Sequence, residues 1–348
     1  MANSTFASGD AGSDRDSMVD AWQMLMSLSQ AASVKPDHPK VIRKSVSFTL
    51  ITGFLGSGKT TLLNKLLTEP HGMRIAVIVN DFGSVNIDAE LLEKSGADSI
   101  SLTNGCVCCT LTNGLVGTVS ELMSREQPPE HIVLEASGVA EPYGIIQVAL
   151  SNPALRLNGI VCLVDADRLL DDLKNPSLEQ LIRKQTIASD LVIINKTDVA
   201  IPAQVDEVSE WLAWAQPTAR VISTTFGDVP AALLLGASSR SGFFAFEADS
   251  HHSDTFATFT FVSERPLDDG QLRHLMEDLP QGVLRVKGIL RLASSPTNWS
   301  VLQSTVRRWS IDVDYGHRDN SLAEIVVIGI KGEFDAKQME KRFHACEV

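Results

Sequence analysis

The sequence predicts an α/β fold in which a mostly parallel sheet is covered by helices and a smaller α+β domain follows. Three observations carry this. From about residue 45 to 236, short continuous apolar runs alternate with segments of helical period, as expected of strands buried on both faces. Residues 237–254 are rich in serine and contain the paired His251 and His252, a composition break that reads as a linker. From residue 255 to 348 the strand candidates alternate apolar and polar residues, as strands with one face on a core do.

Taken in order, residues 1–44 form an N-terminal extension. Residues 1–14 are small and polar and read as disordered. Asp16 to Gln30 has helical spacing, with Met18, Ala21, Trp22 and Leu25 on one face, suited to packing on the chain's own globular part or to docking a partner. Residues 34–44, with Pro36 and Pro39, read as a linker. The parallel sheet is assigned Phe48–Ile51, Ile75–Val79, Ile132–Leu134, Ile160–Val164, Leu191–Ile194 and Val221–Ser223. In the C-terminal part, strands are expected at Phe256–Val262, Val283–Leu292, Val301–Tyr315 and Glu324–Ile330, and helices at Leu267–Leu279 and Asp335–Ala345. Within Val283–Leu292, alternation puts Leu284, Val286, Leu290 and Leu292 on one face and Arg285, Lys287 and Arg291 on the other.

The chain of 348 residues carries 30 basic against 43 acidic side chains, a net charge of −13. Nucleic acid and anionic membrane are therefore not expected partners, since both need clustered Lys and Arg. No apolar run reaches the ~18 residues of a membrane span, and the N-terminus lacks the pattern of a secretory signal. Cys106, Cys108 and Cys109 account for three of the five cysteines, a bunching unlike a secreted disulfide framework. The expected setting is reducing and cytoplasmic.

The stretch with the clearest chemistry is Gly53-Phe54-Leu55-Gly56-Ser57-Gly58-Lys59-Thr60, between a buried strand and the helix-patterned Thr61–Leu67. This is a phosphate loop in the strand–loop–helix setting it requires. Gly53, Gly56 and Gly58 let the backbone wrap a phosphate, and the N–H groups of Ser57 to Thr61 face it with positive partial charge. Lys59 is placed to reach β/γ-phosphates and the Thr60 hydroxyl to bind Mg²⁺. A nucleoside triphosphate is the expected ligand, and the sheet is then that of a P-loop NTPase.

Asn195-Lys196-Thr197-Asp198 ends a strand in the same sheet. The Asp198 carboxylate can accept from the ring N1–H and exocyclic amine of guanine, which adenine does not match, so GTP is expected over ATP. Glu135, at another strand end, can hold the Mg²⁺ shell, and Gly138 lets a backbone N–H approach the γ-phosphate; a helix-capping acid is the plainer role for Glu135. Residues 80–88 form a polar segment suited to a nucleotide-dependent switch, in which Asp81 or Asp88 can position water or touch a metal. No arginine here suits a built-in finger, so slow intrinsic hydrolysis is expected. Asp165 is assigned to a turn and left out of the site. Cys106-Val107-Cys108-Cys109 can offer thiolates to a soft cation such as Zn²⁺, Co²⁺ or Cu⁺; a redox pair and buried structural thiols are the alternatives.

ITGFLGSGKTTLLNKLL, VNDFGSVNID, NGCVCCTL, VLEASGVAEP, VCLVDAD and VIINKTD occur in the order found in CobW-type GTPases. VLRVKGILRL and IVVIGIKGEFDAKQMEKRF resemble that family's C-terminal domain. The resemblance spans about residues 45–348 and leaves residues 1–44 outside. It implies a GTPase of the metallochaperone group, which includes zinc chaperones and nitrile hydratase activators. Cys106, Cys108 and Cys109 would form a metal site tightened by Mg·GTP, with release to a client metalloprotein on hydrolysis. The alternative is a nucleotide-gated module that senses thiol redox state. Two differences from the family pattern stand out: Asp81 and Ser84 replace the usual Glu residues of N-E-F-G-E, and His251-His252 is short for a His-rich run.

Overall fold

The computed structural model describes residues 45–69, 73–79, 98–101, 110–235, 255–305, 308–314 and 322–348. The N-terminal helix expected at Asp16–Gln30 and the linker at 237–254 lie outside them. The first described strand, β1 (Val46–Gly53), is buried at all eight positions, as a central strand of a two-sided sheet must be. Helix α1 (Lys59–Thr68) follows it at once. Then come β2 (Ile75–Val79), β3 (Asp98–Ser101), α2 (Thr110–Ser124), β4 (His131–Glu135), α3 (Pro142–Ser151) and β5 (Leu155–Asp165). The layer continues with α4 (Leu169–Asp172), α5 (Pro176–Ile187), β6 (Leu191–Asn195), α6 (Pro202–Ala215), β7 (Arg220–Ser223) and α7 (Ala231–Leu235).

These seven strands form one sheet in the order β3-β2-β4-β1-β5-β6-β7, every pair parallel. Alternate residues feed opposite faces. Ile51, Val77, Val133, Val161, Leu163 and Ile193 pack with Leu62, Leu63 and Leu66 of α1 and with α7. Phe48, Leu50, Ile78, Ile132 and Leu134 pack on the other side with Leu115, Val119 and Leu122 of α2 and Ile145 and Ile146 of α3. All six expected strands are present. Strand β3 was not expected: its sequence Asp-Ser-Ile-Ser has no apolar run, which an edge strand paired only with β2 does not need.

Among the described residues, the C-terminal domain is a five-stranded antiparallel sheet with two helices. Its elements are β8 (Phe256–Ser263), α8 (Asp269–Glu277), β9 (Val283–Leu292), β10 (Ser295–Thr305), β11 (Arg308–Asp314), β12 (Ala323–Ile330) and α9 (Ala336–His344), with strand order β11-β10-β9-β12-β8. Asp268 and Asp335 cap the two helices, accepting from Gln271 N and from Lys337 N and Gln338 N. Leu272, Leu275, Met339 and Phe343 bury one face of the sheet, with Phe343 stacked on Phe261 at 5.2 Å. The single strand expected at Val301–Tyr315 is two. The chain reverses between Thr305 and Arg308, which pair with each other, and alternation alone runs through such a hairpin without a mark.

The opposite face of the C-terminal sheet lies on the parallel sheet. Phe256, Leu284 and Ile328 belong to the same apolar core as α1 and α7. Leu284 thereby departs from the face shared by Val286 and Leu290, because the β9–β12 register shifts between Ile328 and Gly329. Arg285, expected on a polar face, is 3% exposed. Its Nη1 donates to Leu233 O at 2.8 Å and its Nη2 to Asn158 Oδ1. Asn158 Nδ2 in turn donates to Thr49 Oγ1 at 2.8 Å and to Leu234 O at 2.9 Å. Thr49 Oγ1 donates to Leu234 O at 2.9 Å and meets His131 Nε2 at 2.8 Å, so the Nε2–H tautomer of His131 completes the set. Burial, with Arg156 nearby, pushes the Arg285 guanidinium down to about 9, still charged at neutral pH.

Arg285→Ala leaves Asn158 Oδ1 and Leu233 O without this buried donor. The expected loss is about 1–3 kcal/mol of unfolding free energy, read as a lower urea midpoint at unchanged slope. Lys174→Ala, which breaks only the exposed pair with Asp171, leaves the midpoint where it was.

Candidate functional site

The site is built at the carboxyl ends of the parallel strands. There β1 turns into the loop Gly53–Gly58 and then into α1. Gly53, Gly56 and Gly58 have φ of 134°, 77° and 100°, the left-handed region that side chains avoid. Two of them are also sterically closed. A Cβ on Gly53 would lie 2.2 Å from Leu163 O, and one on Gly58 would lie 2.2 Å from Asn195 Nδ2. Ser57 is buried inside this turn, and among the described residues its Oγ has no hydrogen-bond partner. Lys59 is 7% exposed and bends back over the loop, with Nζ donating to Gly53 O at 2.9 Å and Phe54 O at 3.1 Å. An ammonium, the start of a helix and a glycine-walled turn converge here, an arrangement suited to a polyanion.

Thr60, the second residue of α1, donates from Oγ1 to Glu135 Oε1 at 3.0 Å. Glu135 is the last residue of β4 and is in register with Ile51 of β1. The expected pair is therefore in contact, and its hydroxyl and carboxylate oxygens are the hard donors that Mg²⁺ takes. Thr61 is exposed on the next position of the helix. Gly138 stands against the loop, where a Cβ would come within 2.7 Å of Leu55 N. Gln185 of α5 holds that segment, donating from Nε2 to Gly138 O at 3.0 Å and Ala140 O at 3.1 Å.

Asn195 ends β6 and is 1% exposed. Its amide joins two loops: Nδ2 donates to Ser57 O at 2.9 Å and Oδ1 accepts from Gly227 N at 2.9 Å. Lys196 is left-handed, with φ 64°, and its Nζ pairs with Asp165 Oδ2 at 2.7 Å. Asp198 is exposed two residues on, available to a ligand. Sequence reasoning missed two parts of this arrangement. Asp165 does make a turn, accepting from Asp167 N, but its second oxygen anchors Lys196. The loop from Thr224 to Asp228 after β7 also belongs here, since Thr197 N and Oγ1 both donate to Thr224 O. The signals available were Asp165 at a strand end and Gly227 after one.

The remaining expected residues, Asp81, Cys106, Cys108 and Cys109, lie outside the described residues. The strands that lead to them are described. Val79 at the end of β2 is in register with Glu135 of β4 and with Ser101 at the end of β3. Among the described residues no helix is long and apolar enough to cross a membrane.

Comparison with known proteins agrees with this architecture. The chain matches the model of the CobW/HypB/UreG nucleotide-binding domain over residues 47–223 and that of the cobalamin synthesis protein CobW C-terminal domain over residues 256–347. It is similar to the zinc chaperone CobW of a Sinorhizobium species, 37% identical over 330 residues that span 81% of this chain and 92% of the relative. It is also similar to the zinc chaperone YjiA of Escherichia coli K12, 32% identical over 312 residues spanning 82% of this chain and 94% of the relative. The crystal structure of Zn(II)-bound YjiA GTPase from E. coli aligns with 27% identity and a TM-score of 0.43, covering 88% of this chain and 100% of that one. With matches of this extent in both halves, the chain belongs to the CobW/HypB/UreG family and carries the CobW C-terminal domain.

Proposed function

We propose that this chain is a GTP-dependent chaperone for a transition metal. GTP would sit with its phosphates in the loop Gly53–Gly58 and its base against Asn195, Lys196 and Asp198. Lys59 would leave the carbonyls of Gly53 and Phe54 for the β/γ-phosphates, which offer it full negative charge instead of carbonyl dipoles. Thr60 and Glu135 would hold Mg²⁺, which supplies charge stabilisation at the γ-phosphate. Gly138 would bring a backbone N–H to the same phosphate, and Asp81 would position the attacking water. Cys106, Cys108 and Cys109 would carry Zn²⁺ or Co²⁺ as cargo, released to a client metalloprotein after hydrolysis. Two domains, at 45–236 and 255–348, would divide the work, the second offering the client surface.

The observation that carries this reading is the register of Val79 with both Glu135 and Ser101. The segments containing Asp81 and the three cysteines start from the ends of β2 and β3, level with the residue that would hold Mg²⁺. Thiolates carried by the segment that follows β3 would then be able to respond to what the γ-phosphate orders, and such coupling would be reciprocal. The names of the relatives support the choice of cargo, since both CobW and YjiA are zinc chaperones.

Three measurements test it. Zn²⁺ affinity, titrated against a chromogenic chelator, should be higher with GTP-γ-S and Mg²⁺ than with GDP, by about 1–3 kcal/mol. Cys108→Ala should remove the difference and spare GDP binding; equal affinities in the parent would end the chaperone cycle. Alkylation of the native protein at pH 8 should modify three thiols, and Zn²⁺ should protect all three. Cys162 and Cys346 stay silent because burial pushes them up to about 12 and about 11. Protection that instead disappears only with reductant would point to a disulfide. Asp198→Asn should lose GTP affinity and gain xanthosine triphosphate, whose 2-oxo group needs a donor. A parent protein that binds ATP as well as GTP would refute the base assignment.

A further inference from the structure

Among the described residues only two that are not glycine adopt left-handed φ: Lys196 at 64° and Phe226 at 52°. Both stand at the same place, the ends of β6 and β7. They belong to loops tied together by Thr197 N donating to Thr224 O at 3.3 Å and by Gly227 N donating to Asn195 Oδ1 at 2.9 Å. A bulky aromatic residue in this conformation is strained, and such strain persists only where the surroundings over-determine it.

The surroundings do so on both sides of Phe226. Thr224 N donates to Ile194 O at 2.8 Å, and Thr224 Oγ1 donates to Asp228 O at 2.8 Å. Gly227, itself at φ 62°, is pressed against α1, where a Cβ would come within 3.0 Å of Leu62 Cα. Asp228 pairs with Lys65 of the same helix. Every residue of the turn is therefore held except the Phe226 side chain, which is 64% exposed. A single exposed apolar side chain is ordinary on a protein surface. A strained one, clamped on both flanks beside a base-reading motif, is not.

A purine has an edge to be read and two flat faces to be covered. Asp198 addresses the edge. Lys196 has its ammonium anchored on Asp165 at 2.7 Å. We propose that Phe226 is the aromatic wall of the nucleobase pocket, stacking on the face of the purine. This rests on the guanine-nucleotide reading above, and it goes beyond it by adding an affinity determinant on β7 that the N-K-x-D motif does not contain. Stacking is tolerant of base identity, because every base presents a π-face. Phe226 therefore contributes to affinity and residence time, and leaves the choice between guanine and other purines to Asp198. The left-handed backbone is the cost of turning the ring outward over the pocket.

The test uses the full chain and three variants, Phe226→Leu, Phe226→Gly and Phe226→Tyr. Affinities for GDP, GTP and ITP are measured by displacement of a fluorescent guanine nucleotide. Leu and Gly should weaken all three nucleotides, by roughly 5- to 150-fold, the range that loss of one base–aromatic stack produces. The GTP-to-ITP ratio should stay at the parent value, and Tyr should bind like the parent. In the absence of nucleotide, Phe226→Gly should melt higher than the parent, since glycine accepts the left-handed φ without strain. Parent-like affinity in both Leu and Gly variants overturns the proposal, as does a GTP-to-ITP ratio that collapses with the affinity, which would make Phe226 an edge reader. A lower melting temperature for the nucleotide-free glycine variant also overturns it, assigning the ring to the fold. If the parent binds no guanine nucleotide, the functional reading itself falls. If it binds GTP while the variants are unaffected, only the role of Phe226 falls.

Discussion

One buried amide holds the candidate site together. Asn195 donates to the phosphate loop at Ser57 O and accepts from the β7 loop at Gly227 N, and it has almost no exposed surface. Buried amides are costly unless their hydrogen bonds are made, so this side chain specifies the distance between three loops from different parts of the chain. The absence of a Cβ on Gly58 is part of the same contact, because that atom would occupy the place of Asn195 Nδ2. The glycine loop and the Asn195–Asp198 turn, the proposed phosphate cradle and base reader, are thereby held together by direct hydrogen bonds. Pre-setting of this kind lowers the ordering cost of binding.

A second constraint acts from the C-terminal domain. The parallel sheet has one face covered by its own helices and the other shared between α1, α7 and the antiparallel sheet. Phe256, Leu284 and Ile328 complete an apolar core that the first layer does not close alone. Into that core the fold inserts the Arg285 guanidinium, satisfied by Leu233 O and Asn158 and linked through Asn158 to Thr49. Lys287, two residues on, is pushed well below its ordinary pKa by burial and then by Arg285 and Arg156. The buried Arg285 charge is a poor source of stability, but removing its partners in the parallel-sheet domain would leave it uncompensated. Thr49 lies in β1, the strand that runs into the loop Gly53–Gly58, so this junction ties the second domain to the strand that carries the candidate site.

The two described cysteines illustrate how burial separates thiols by task. Cys162 and Cys346 are held protonated by their surroundings and are chemically quiet at neutral pH. Among the cysteines, the three grouped at 106–109 are the ones proposed for metal ligation.

Much of the molecule was legible in the sequence, for a physical reason. A strand buried on both faces must be apolar throughout, and a loop that wraps phosphate must carry glycine where a Cβ cannot go. Hence Phe48–Ile51, Leu191–Ile194 and Gly53–Gly58 declared themselves locally. Strand β3 did not, because an edge strand is constrained on one side only. The β10–β11 hairpin did not, because period-two alternation is the same before and after a reversal. Thr60 and Glu135 were each expected to serve Mg²⁺ from their motifs, whereas the pairing of Lys196 with Asp165 and the place of Phe226 were not expected. Those depend on which strand ends the parallel order β1-β5-β6-β7 sets side by side, an outcome of long-range packing. The inward turn of Arg285 and Leu284 likewise depends on a register shift against β12, a strand distant in sequence, which no local pattern encodes. Local sterics and hydrophobic period thus set the elements and the glycine turns, and only tertiary packing decided which polar side chains meet.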